Sequence, residues 1–294
     1  MQTKLINPQT LAAIKDLSLV ARMVVEGFMA GLHNSVKRGA GLEFSQYRSY
    51  QPGDDLRQLD WKMFARSDRY YIRESETDTN LRVQFVVDGS NSMNYEETGL
   101  SKITYAKLVV ACLGYLVAQQ GDEISLHVLH ENKLVNILPD SSGNRLQRFF
   151  VALDKLTAVG RFATPQISHT LIQTTKKKTI TIFLSDMYEQ ETEITDLLSR
   201  LRSRGQEVLL LHLLGQQELT LNYQGNILFE DLETGETIQV NPSQYRAQYG
   251  EQYQAWLQNM ATNMCKKHIS YDQFLLHEPM DKALRLLLKY RLNR

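Results

Sequence analysis

Residues 81–95 read LRVQFVVDGSNSMNY, and this stretch decides the fold. The run from Arg82 to Val87 is short, apolar and partly β-branched, which is typical of a strand buried in a sheet. Asp88 ends the run, and Ser90 and Ser92 follow it at intervals of two residues in a polar loop. A turn after this strand can therefore direct one carboxylate and two hydroxyls at a single point.

Two interpretations of this loop follow from the residues alone. Carboxylate and hydroxyl oxygens suit Mg²⁺, Mn²⁺ or Ca²⁺ rather than zinc or copper, and α/β sheets bind ligands in the crevice at the carboxyl ends of their strands. The alternative is a polar turn whose serines cap the next helix. An Asp-x-Ser-x-Ser match is too short to decide between the two.

Strand-like and helix-like segments alternate after the loop. Strands are predicted at 123–129, 133–138, 179–184, 207–214 and 270–276, and helices at 101–119, 145–156, 165–175, 193–204, 245–265 and 280–292. This alternation predicts an α/β protein with a doubly wound, mostly parallel sheet. Residues 226–232 and 236–240 flank a Thr-Gly turn, which predicts an inserted β-hairpin.

The amino-terminal part has its own pattern. Apolar residues at helical spacing predict one amphipathic helix from Thr10 to Met29, ended by the segment that begins at Gly31. Short strands are expected within 43–50 and 70–76. We therefore expect an amino-terminal helix and strand extension over residues 1–80, and a main domain over 81–294 with the hairpin insertion near 216–245.

The segment from Arg48 to Arg66 alternates positive and negative side chains around Leu59, Trp61 and Phe64. One interpretation is a short helix whose ion pairs join the amino-terminal segment to the main sheet. The other is a recognition surface for a partner protein.

Composition excludes several classes of protein. The 294 residues are 43% hydrophobic and 22% charged, with 33 basic and 33 acidic side chains, so a nucleic-acid partner is not expected. The longest apolar run, 108–118, is too short to cross a bilayer. Cys112 and Cys265 are too few for a disulfide framework and are expected to be buried thiols. We expect a cytoplasmic protein.

The usual catalytic motifs are missing from the sequence. Ser90 lies in Asp-Gly-Ser-Asn-Ser and not in the Gly-x-Ser-x-Gly turn of a hydrolase. There is no Gly-x-x-x-x-Gly-Lys phosphate loop, and no pair of histidines has metalloprotease spacing. The sequence thus indicates a protein that is not an enzyme.

A second carboxylate, Asp186, follows the strand predicted at 179–184, and a threonine-containing loop precedes that strand. Together with the first loop, this arrangement resembles the metal-ion-dependent adhesion site of von Willebrand factor A domains. The resemblance implies that Asp88, Ser90, Ser92, Thr164 and Asp186 are metal ligands. In the family the threonine loop commonly has small residues before the threonine, whereas here Arg161, Phe162 and Ala163 precede Thr164. Thr157 and Thr170 are less suitably placed alternatives.

Longer motifs extend the resemblance over nearly the whole chain. They are ARMVVEGFMAGLHNS, EFSQYRSYQPGDDLRQLDWKMFAR, VVDGSNSM, FLSDM and FEDLETGE, in this order. They are similar to the MoxR-associated family known as domain of unknown function number fifty-eight. Many members of that family carry two membrane helices before this region, whereas this chain starts directly at the part that resembles them.

The resemblance implies a von Willebrand factor A-like protein-interaction module that binds a partner carboxylate through Mg²⁺, with Mn²⁺ or Ca²⁺ as other possible ions. It also implies a MoxR-type AAA+ ATPase as partner, acting with this chain in the assembly of other proteins or in metal insertion. Two alternatives stay open: a Mg²⁺- or Mn²⁺-dependent hydrolase, and a structural protein with an inactive site.

Overall fold

The computed structural model describes residues 7–38, 47–49, 71–73, 81–130, 133–137, 144–162, 178–189 and 192–292. In chain order, its elements are α1 (Pro8–Ala12), α2 (Leu17–Arg38), β1 (Tyr47–Ser49), β2 (Tyr71–Arg73), β3 (Arg82–Asp88), β4 (Glu96–Glu97), β5 (Leu100–Ser101), α3 (Lys102–Gln119), β6 (Glu123–His130), β7 (Lys133–Ile137), α4 (Arg145–Asp154), β8 (Thr179–Ser185), α5 (Glu193–Ser203), β9 (Glu207–Leu214), α6 (Gln216–Thr220), β10 (Ile227–Glu230), β11 (Thr237–Val240), α7 (Pro242–Lys266), β12 (Ser270–Leu275) and α8 (Asp281–Leu292).

The chain divides into two compact units. One comprises residues 1–26 and 80–294, and the other comprises residues 27–79. Within the second unit, β1 pairs antiparallel with β2, and Ser49 lies opposite Tyr71. Both short strands fall inside the segments where the sequence predicts them.

The main sheet has the order β12-β9-β8-β3-β6-β7. Five of its strands run parallel, and β7 pairs antiparallel with β6 at one edge. The strands β3, β8 and β9 are almost completely buried, as their continuous apolar sequences require in a sheet covered on both faces. The predicted α/β class with a mostly parallel sheet is confirmed.

Helices cover both faces of the sheet, which makes it doubly wound. On one face, the Phe85 ring of β3 contacts the Phe149 ring of α4, with centroids 5.8 Å apart. On the other face, Val86, Phe183 and Leu210 pack with apolar side chains of α5 and with Met264 of α7. Alternate residues of each strand therefore enter two separate cores.

The register places two polar strand ends next to each other. In the β3–β8 pairing, Val87 lies opposite Leu184, so Asp88 and Ser185 follow side by side at the carboxyl edge of the sheet. The β8–β9 pairing places Ser185 opposite His212. This edge carries the candidate site.

Two expectations from the sequence are wrong. The helix expected from Thr10 to Met29 is broken into α1 and α2, because the Asp16 side chain accepts hydrogen bonds from the backbone N–H groups of Ser18 and Leu19 and thereby starts a new helix. The second helix continues through Gly31 to Arg38. Cys112 is buried as expected, but Cys265 is exposed on α7.

Several expectations lie outside the described residues. These are the segment from Arg48 to Arg66 beyond Ser49, and the helix predicted at 165–175. The division into a 1–80 extension and an 81–294 domain stays a prediction.

Candidate functional site

Asp88 is the centre of the candidate site and is fully buried. Its Oδ1 accepts hydrogen bonds from the backbone N–H of Ser90 at 2.9 Å and from Ser90 Oγ at 2.7 Å. Its Oδ2 accepts a hydrogen bond from Ser185 Oγ at 2.6 Å. Both carboxylate oxygens thus face donors, which fixes the orientation of the side chain.

Ser90 and Ser92 connect Asp88 to Asp186. The Oγ atoms of the two serines are 3.0 Å apart, and Ser92 Oγ lies 3.2 Å from Asp186 Oδ1. The four sequence-predicted residues Asp88, Ser90, Ser92 and Asp186 are therefore brought together at the carboxyl edge of the sheet, as expected.

The serine contacts need more protons than the two hydroxyls have. Ser90 Oγ contacts Asp88 and Ser92, and Ser92 Oγ also contacts Asp186, so three close oxygen pairs share two hydroxyl protons. At least one pair would be two oxygens with no hydrogen between them. A proton on Asp88 or a cation among the oxygens would complete the set.

Asp186 is held by backbone geometry at the end of β8. Its Oδ1 accepts a hydrogen bond from the backbone N–H of Tyr188 at 3.2 Å. Met187 has a φ of 56°, in the left-handed region that side chains other than glycine rarely adopt. Such strain is characteristic of functional turns, and here it redirects the chain immediately after Asp186.

Lys102, the first residue of α3, makes a buried ion pair with Asp186. Its Nζ lies 3.0 Å from Asp186 Oδ2 and 2.7 Å from Glu218 Oε1. The side chains of Lys102 and Asp186 are 3% and 4% exposed, whereas that of Glu218 is 25% exposed. Lys102 therefore neutralises Asp186, while Asp88 has no basic partner among the described residues.

The pKa values of the two aspartates are displaced in opposite directions. Burial raises the pKa of Asp88 to about 7, and the charge of Asp186 adds to this effect. Burial alone would also raise the pKa of Asp186, but Lys102 holds it below the ordinary value. Lys102 is itself buried, yet the attraction of Asp186 and Glu218 raises its pKa. The uncompensated charge of the site therefore resides on Asp88.

His212 supports Asp186 from β9. Its Nε2 lies 3.0 Å from the backbone carbonyl of Asp186, and its Nδ1 lies 2.7 Å from the hydroxyl of Tyr271. Burial lowers the pKa of His212 to about 4, so the ring is neutral at pH 7. Since a carbonyl only accepts, Nε2 carries the proton and Nδ1 accepts from Tyr271. This tautomer makes His212 a positioning group.

The hairpin of β10 and β11 lies over the site. Asn91 Nδ2 donates a hydrogen bond to the backbone carbonyl of Leu232, and the Tyr188 hydroxyl donates to Asp231 Oδ2 at 2.5 Å. A cavity of about 550 Å³ opens beside Asp186 and Lys102. Its lining includes the hairpin residues 230–232 and, from α7, Tyr253, Trp256 and Met260.

Thr164 and its alternative Thr170 lie outside the described residues, and the alternative Thr157 is exposed in a loop. The loop that leads towards Thr164 does reach the site. The backbone N–H of Asn91 donates to the Gly160 carbonyl at 2.7 Å, and that of Val159 donates to the Gly89 carbonyl at 2.8 Å. Ligation by Thr164 stays a prediction.

Sequence reasoning missed Lys102, Ser185 and Glu218 as members of this site. Lys102 had a detectable signal, because a lysine in the first turn of a helix opposes the helix dipole and needs an anionic partner. Ser185 directly precedes the predicted ligand Asp186 on the same strand end. Glu218 is brought to Lys102 by tertiary folding and has no local signal in the sequence.

Among the described residues, no three His, Cys, Asp or Glu side chains lie together in a group that could hold a metal ion. The site is instead a set of hydroxyls with two carboxylates. Within the described part of the chain, no helix is long and apolar enough to cross a membrane.

Known proteins resemble this chain at low identity. Two uncharacterized proteins, Mb1516 of Mycobacterium bovis and Rv1480 of Mycobacterium tuberculosis, are each 24% identical over 233 residues, covering 78% of this chain and 73% of theirs.

Similar solved structures are more distant in sequence. An aerotolerance-related membrane protein of Bacteroides fragilis is 14% identical with a TM-score of 0.48, covering 71% of this chain and 97% of that one. BatB of Bacteroides thetaiotaomicron is 14% identical with a TM-score of 0.48, covering 72% of this chain and 97% of that one. The SpRpn10 VWA domain is 10% identical with a TM-score of 0.41, covering 70% of this chain and 94% of that one.

A family model gives the assignment. The model described as "Protein of unknown function DUF58" matches residues 46–258, which is more than half of the chain and includes Asp88, Ser90, Ser92 and Asp186. This confirms the family resemblance inferred from the sequence motifs, and the chain belongs to the DUF58 family.

Proposed function

We propose that this chain is a metal-ion-dependent protein-interaction module. Asp88, Ser90, Ser92 and Asp186, with Thr164 as the further hydroxyl ligand, would hold Mg²⁺, and Mn²⁺ or Ca²⁺ are the other hard cations that suit such oxygens. When bound, the ion would supply a positive centre to which a carboxylate of a partner protein can bind.

The observation that carries this proposal is the shortage of protons among the converging oxygens. Three close contacts share two hydroxyl protons, and the carboxylate at their centre is completely buried with no basic neighbour among the described residues. A buried charge without a partner is costly. A hard cation would relieve both problems, so the residues present fit such an ion.

The charge of the site also explains why a partner carboxylate would bind. Because Lys102 already neutralises Asp186, Asp88 supplies most of the negative charge available to a divalent ion. An ion with so little compensation stays strongly attractive to a further anion. The cavity beside Asp186 provides space for an acidic side chain and its neighbours.

For the partner, we propose a MoxR-type AAA+ ATPase together with its client proteins. The support is the sequence resemblance to the MoxR-associated branch of the family. Among the described residues, the groups that contact the serine hydroxyls are the carboxylates of the proposed metal ligands Asp88 and Asp186, and His212 uses both ring nitrogens in hydrogen bonds that position Asp186. We therefore propose a binding role rather than hydrolysis.

The test is titration calorimetry with MgCl₂ on the wild-type chain and on Asp88→Asn. The control is Asp154→Asn, a matched change at an exposed aspartate at the end of α4. We expect Mg²⁺ binding in the wild type and the control, and none in Asp88→Asn, with circular dichroism showing that all three are folded. Equal Mg²⁺ binding in Asp88→Asn would refute the site.

The partner is tested with a purified MoxR-type AAA+ ATPase from the same organism. Association should require Mg²⁺, disappear in EDTA, and be absent for Asp88→Asn. If association is unchanged in EDTA and in Asp88→Asn, the metal takes no part in the interaction. Metal-dependent turnover of phosphoesters or peptides that is lost in Asp88→Asn would assign the site to hydrolysis instead.

A further inference from the structure

The cavity beside Asp186 has an aromatic wall that belongs to α7. Tyr253, Trp256 and Met260 line the cavity, and their spacing of three and four residues places them on one face of the helix. The rings of Tyr253 and Trp256 have centroids 5.4 Å apart and planes inclined by 34°. Trp256 is 37% exposed, so part of its indole ring is open to an incoming group.

The aromatic wall is held in place by its neighbours. The Tyr249 ring stacks on Tyr253, with centroids 5.5 Å apart, and the Tyr249 hydroxyl donates a hydrogen bond to the backbone carbonyl of Glu218 at 2.7 Å. The His212 ring contacts Trp256, with centroids 5.6 Å apart. These contacts fix the rings before any ligand binds, which lowers the entropic cost of binding.

The charged groups that line the same cavity are mainly acidic. Its described lining contains one basic side chain, Lys102, and five carboxylates, which are Asp186, Glu189, Glu218, Glu230 and Asp231. Lys102 is paired with Asp186 and Glu218. The other three carboxylates have no basic partner within the described part of the chain. The cavity therefore keeps an excess of negative charge.

The three carboxylates without a basic partner are spread around the cavity. Glu189 follows β8 and accepts hydrogen bonds from the backbone N–H groups at the start of α5. Glu230 is exposed at the end of β10, and Asp231 is the next residue of the chain. No three acidic side chains among the described residues lie together as a metal ion would require. Negative charge that is distributed in this way suits a wide organic cation better than a metal ion.

The cavity already stabilises one cation by combining carboxylates with an aromatic ring. The Lys102 Nζ lies 4.9 Å from the centroid of the Tyr95 ring. The same ammonium group contacts the carboxylates of Asp186 and Glu218. The outer part of the cavity repeats this combination with Trp256 and Glu230, but it has no cation of its own among the described residues that line it.

We propose that this cavity binds the guanidinium group of an arginine in a protein partner. A guanidinium is planar, so it can stack on an aromatic ring and also donate paired hydrogen bonds to carboxylates. The volume of about 550 Å³ is that of a site for a drug-sized ligand, so residues next to the arginine can enter as well. For this reason the occupant is a protein segment and not free arginine.

The inference goes beyond the proposed metal-dependent function and does not rest on it. The cavity lies beside Asp186, one of the proposed metal ligands. If both proposals hold, the partner carries an arginine close in space to the carboxylate that binds the ion.

The test is fluorine NMR on the full chain in EDTA, so that its outcome is independent of metal binding. The chain has two tryptophans, Trp61 and Trp256, so labelling with 5-fluorotryptophan gives two resonances, and Trp256→Phe identifies the one from Trp256. The probe is the peptide acetyl-Gly-Arg-Gly-amide, and the control peptide has citrulline, which is uncharged and of the same shape, in place of arginine. We expect the arginine peptide to shift the Trp256 resonance saturably, and the citrulline peptide to bind about fivefold more weakly.

Two variants and one further ligand test the charge and the source of the arginine. Glu230→Gln should weaken binding of the arginine peptide by about twofold to fivefold. Glu236→Gln, at an exposed glutamate of the same hairpin outside the cavity lining, should leave it unchanged. Free L-arginine should bind more weakly than the peptide.

Three results would overturn the inference. They are an unchanged Trp256 resonance, equal binding of the citrulline peptide, and a Glu230→Gln variant that binds as tightly as Glu236→Gln. Tighter binding of free L-arginine than of the peptide would make the cavity an amino-acid site and would also refute a protein partner. None of these results bears on Mg²⁺ binding, which calorimetry tests separately.

Discussion

The buried ion pair of Lys102 offers the sharpest test of the electrostatics of this site. Replacing Lys102 by methionine keeps most of the side-chain volume and removes its charge. At the 3.0 Å separation of Lys102 and Asp186, the Coulomb energy of two unit charges is about 5 kcal/mol at an effective dielectric constant of about 20. The substitution also removes the desolvation cost of Lys102, and this reduces the net loss of unfolding free energy.

The charge left behind determines the outcome. Asp186 stays buried beside Asp88, and breaking such a pair costs about 3–5 kcal/mol because one charge is then uncompensated. Glu218 is 25% exposed and can turn towards water, so its unpaired charge adds less to the loss of stability. We expect Lys102→Met to lower the free energy of unfolding in EDTA by about 3–5 kcal/mol.

Urea unfolding followed by circular dichroism measures this loss. The matched control is Lys178→Met. The Lys178 side chain is 57% exposed and its Nζ lies 3.8 Å from Glu207 Oε1. An exposed pair of this kind contributes under about 1 kcal/mol. Adding Asp186→Asn to Lys102→Met should recover much of the loss, because the unpaired charge is then gone.

Magnesium adds a second readout. A ligand at about 100 times its dissociation constant stabilises the folded state by about 2.7 kcal/mol. Mg²⁺ should stabilise Lys102→Met more than the wild type, since Lys102 repels a divalent ion near Asp186. A Lys102→Met variant as stable in EDTA as Lys178→Met would refute the reasoning.

Three further predictions concern packing, pH and the hairpin. Gly114→Ala in α3 should destabilise the protein by about 1–3 kcal/mol in urea unfolding, because the new Cβ would lie 2.6 Å from the Phe149 ring. Its control is Gly250→Ala, where the new Cβ meets open space. This change should stabilise the protein by up to about 1 kcal/mol in the same assay, because alanine favours the helix. Burial lowers the pKa of His127 to about 4. Since the unfolded chain takes up this proton near pH 6.5, His127 should contribute a loss of about 3 kcal/mol of stability between pH 6.5 and 4, in addition to the loss from His212. The fall in stability should therefore be about 3 kcal/mol smaller in His127→Gln than in the wild type. Tyr188→Phe removes one attachment of the hairpin turn and should speed amide exchange of residues 231–236, whereas unchanged exchange would show that this bond does not hold the turn.

The parts of the site that could be predicted from sequence are those fixed by local geometry. Asp88, Ser90 and Ser92 lie within one loop after a strand, so their spacing alone brings them together. Asp186 follows a neighbouring strand of a parallel sheet, and parallel strands end at a common edge. The β-branched and leucine-rich strands also predicted the sheet, because continuous apolar runs fit a sheet buried on both faces.

The parts that could not be predicted depend on contacts distant in sequence. Lys102 becomes a site residue because Glu218 and Asp186 approach it from positions 116 and 84 residues away. The break between α1 and α2 depended on a single capping interaction by Asp16, which outweighed the apolar periodicity that continues through the break.

The charges around the proposed metal position bear on how a partner would be selected. Asp186 and Glu218 are paired with Lys102, so Asp88 carries the negative charge that a divalent ion would meet. An ion held in this way would attract any carboxylate, so the charge of the ion alone cannot favour one partner over another. The preference must come from neighbouring contacts, and the cavity wall formed by Tyr253, Trp256 and Met260 is the surface that can provide them. Aromatic side chains of this kind contribute strongly to binding when they become buried. We therefore expect Trp256→Ala to weaken partner binding while leaving Mg²⁺ affinity unchanged, and a parallel loss of both would place Trp256 in the support of the metal site instead.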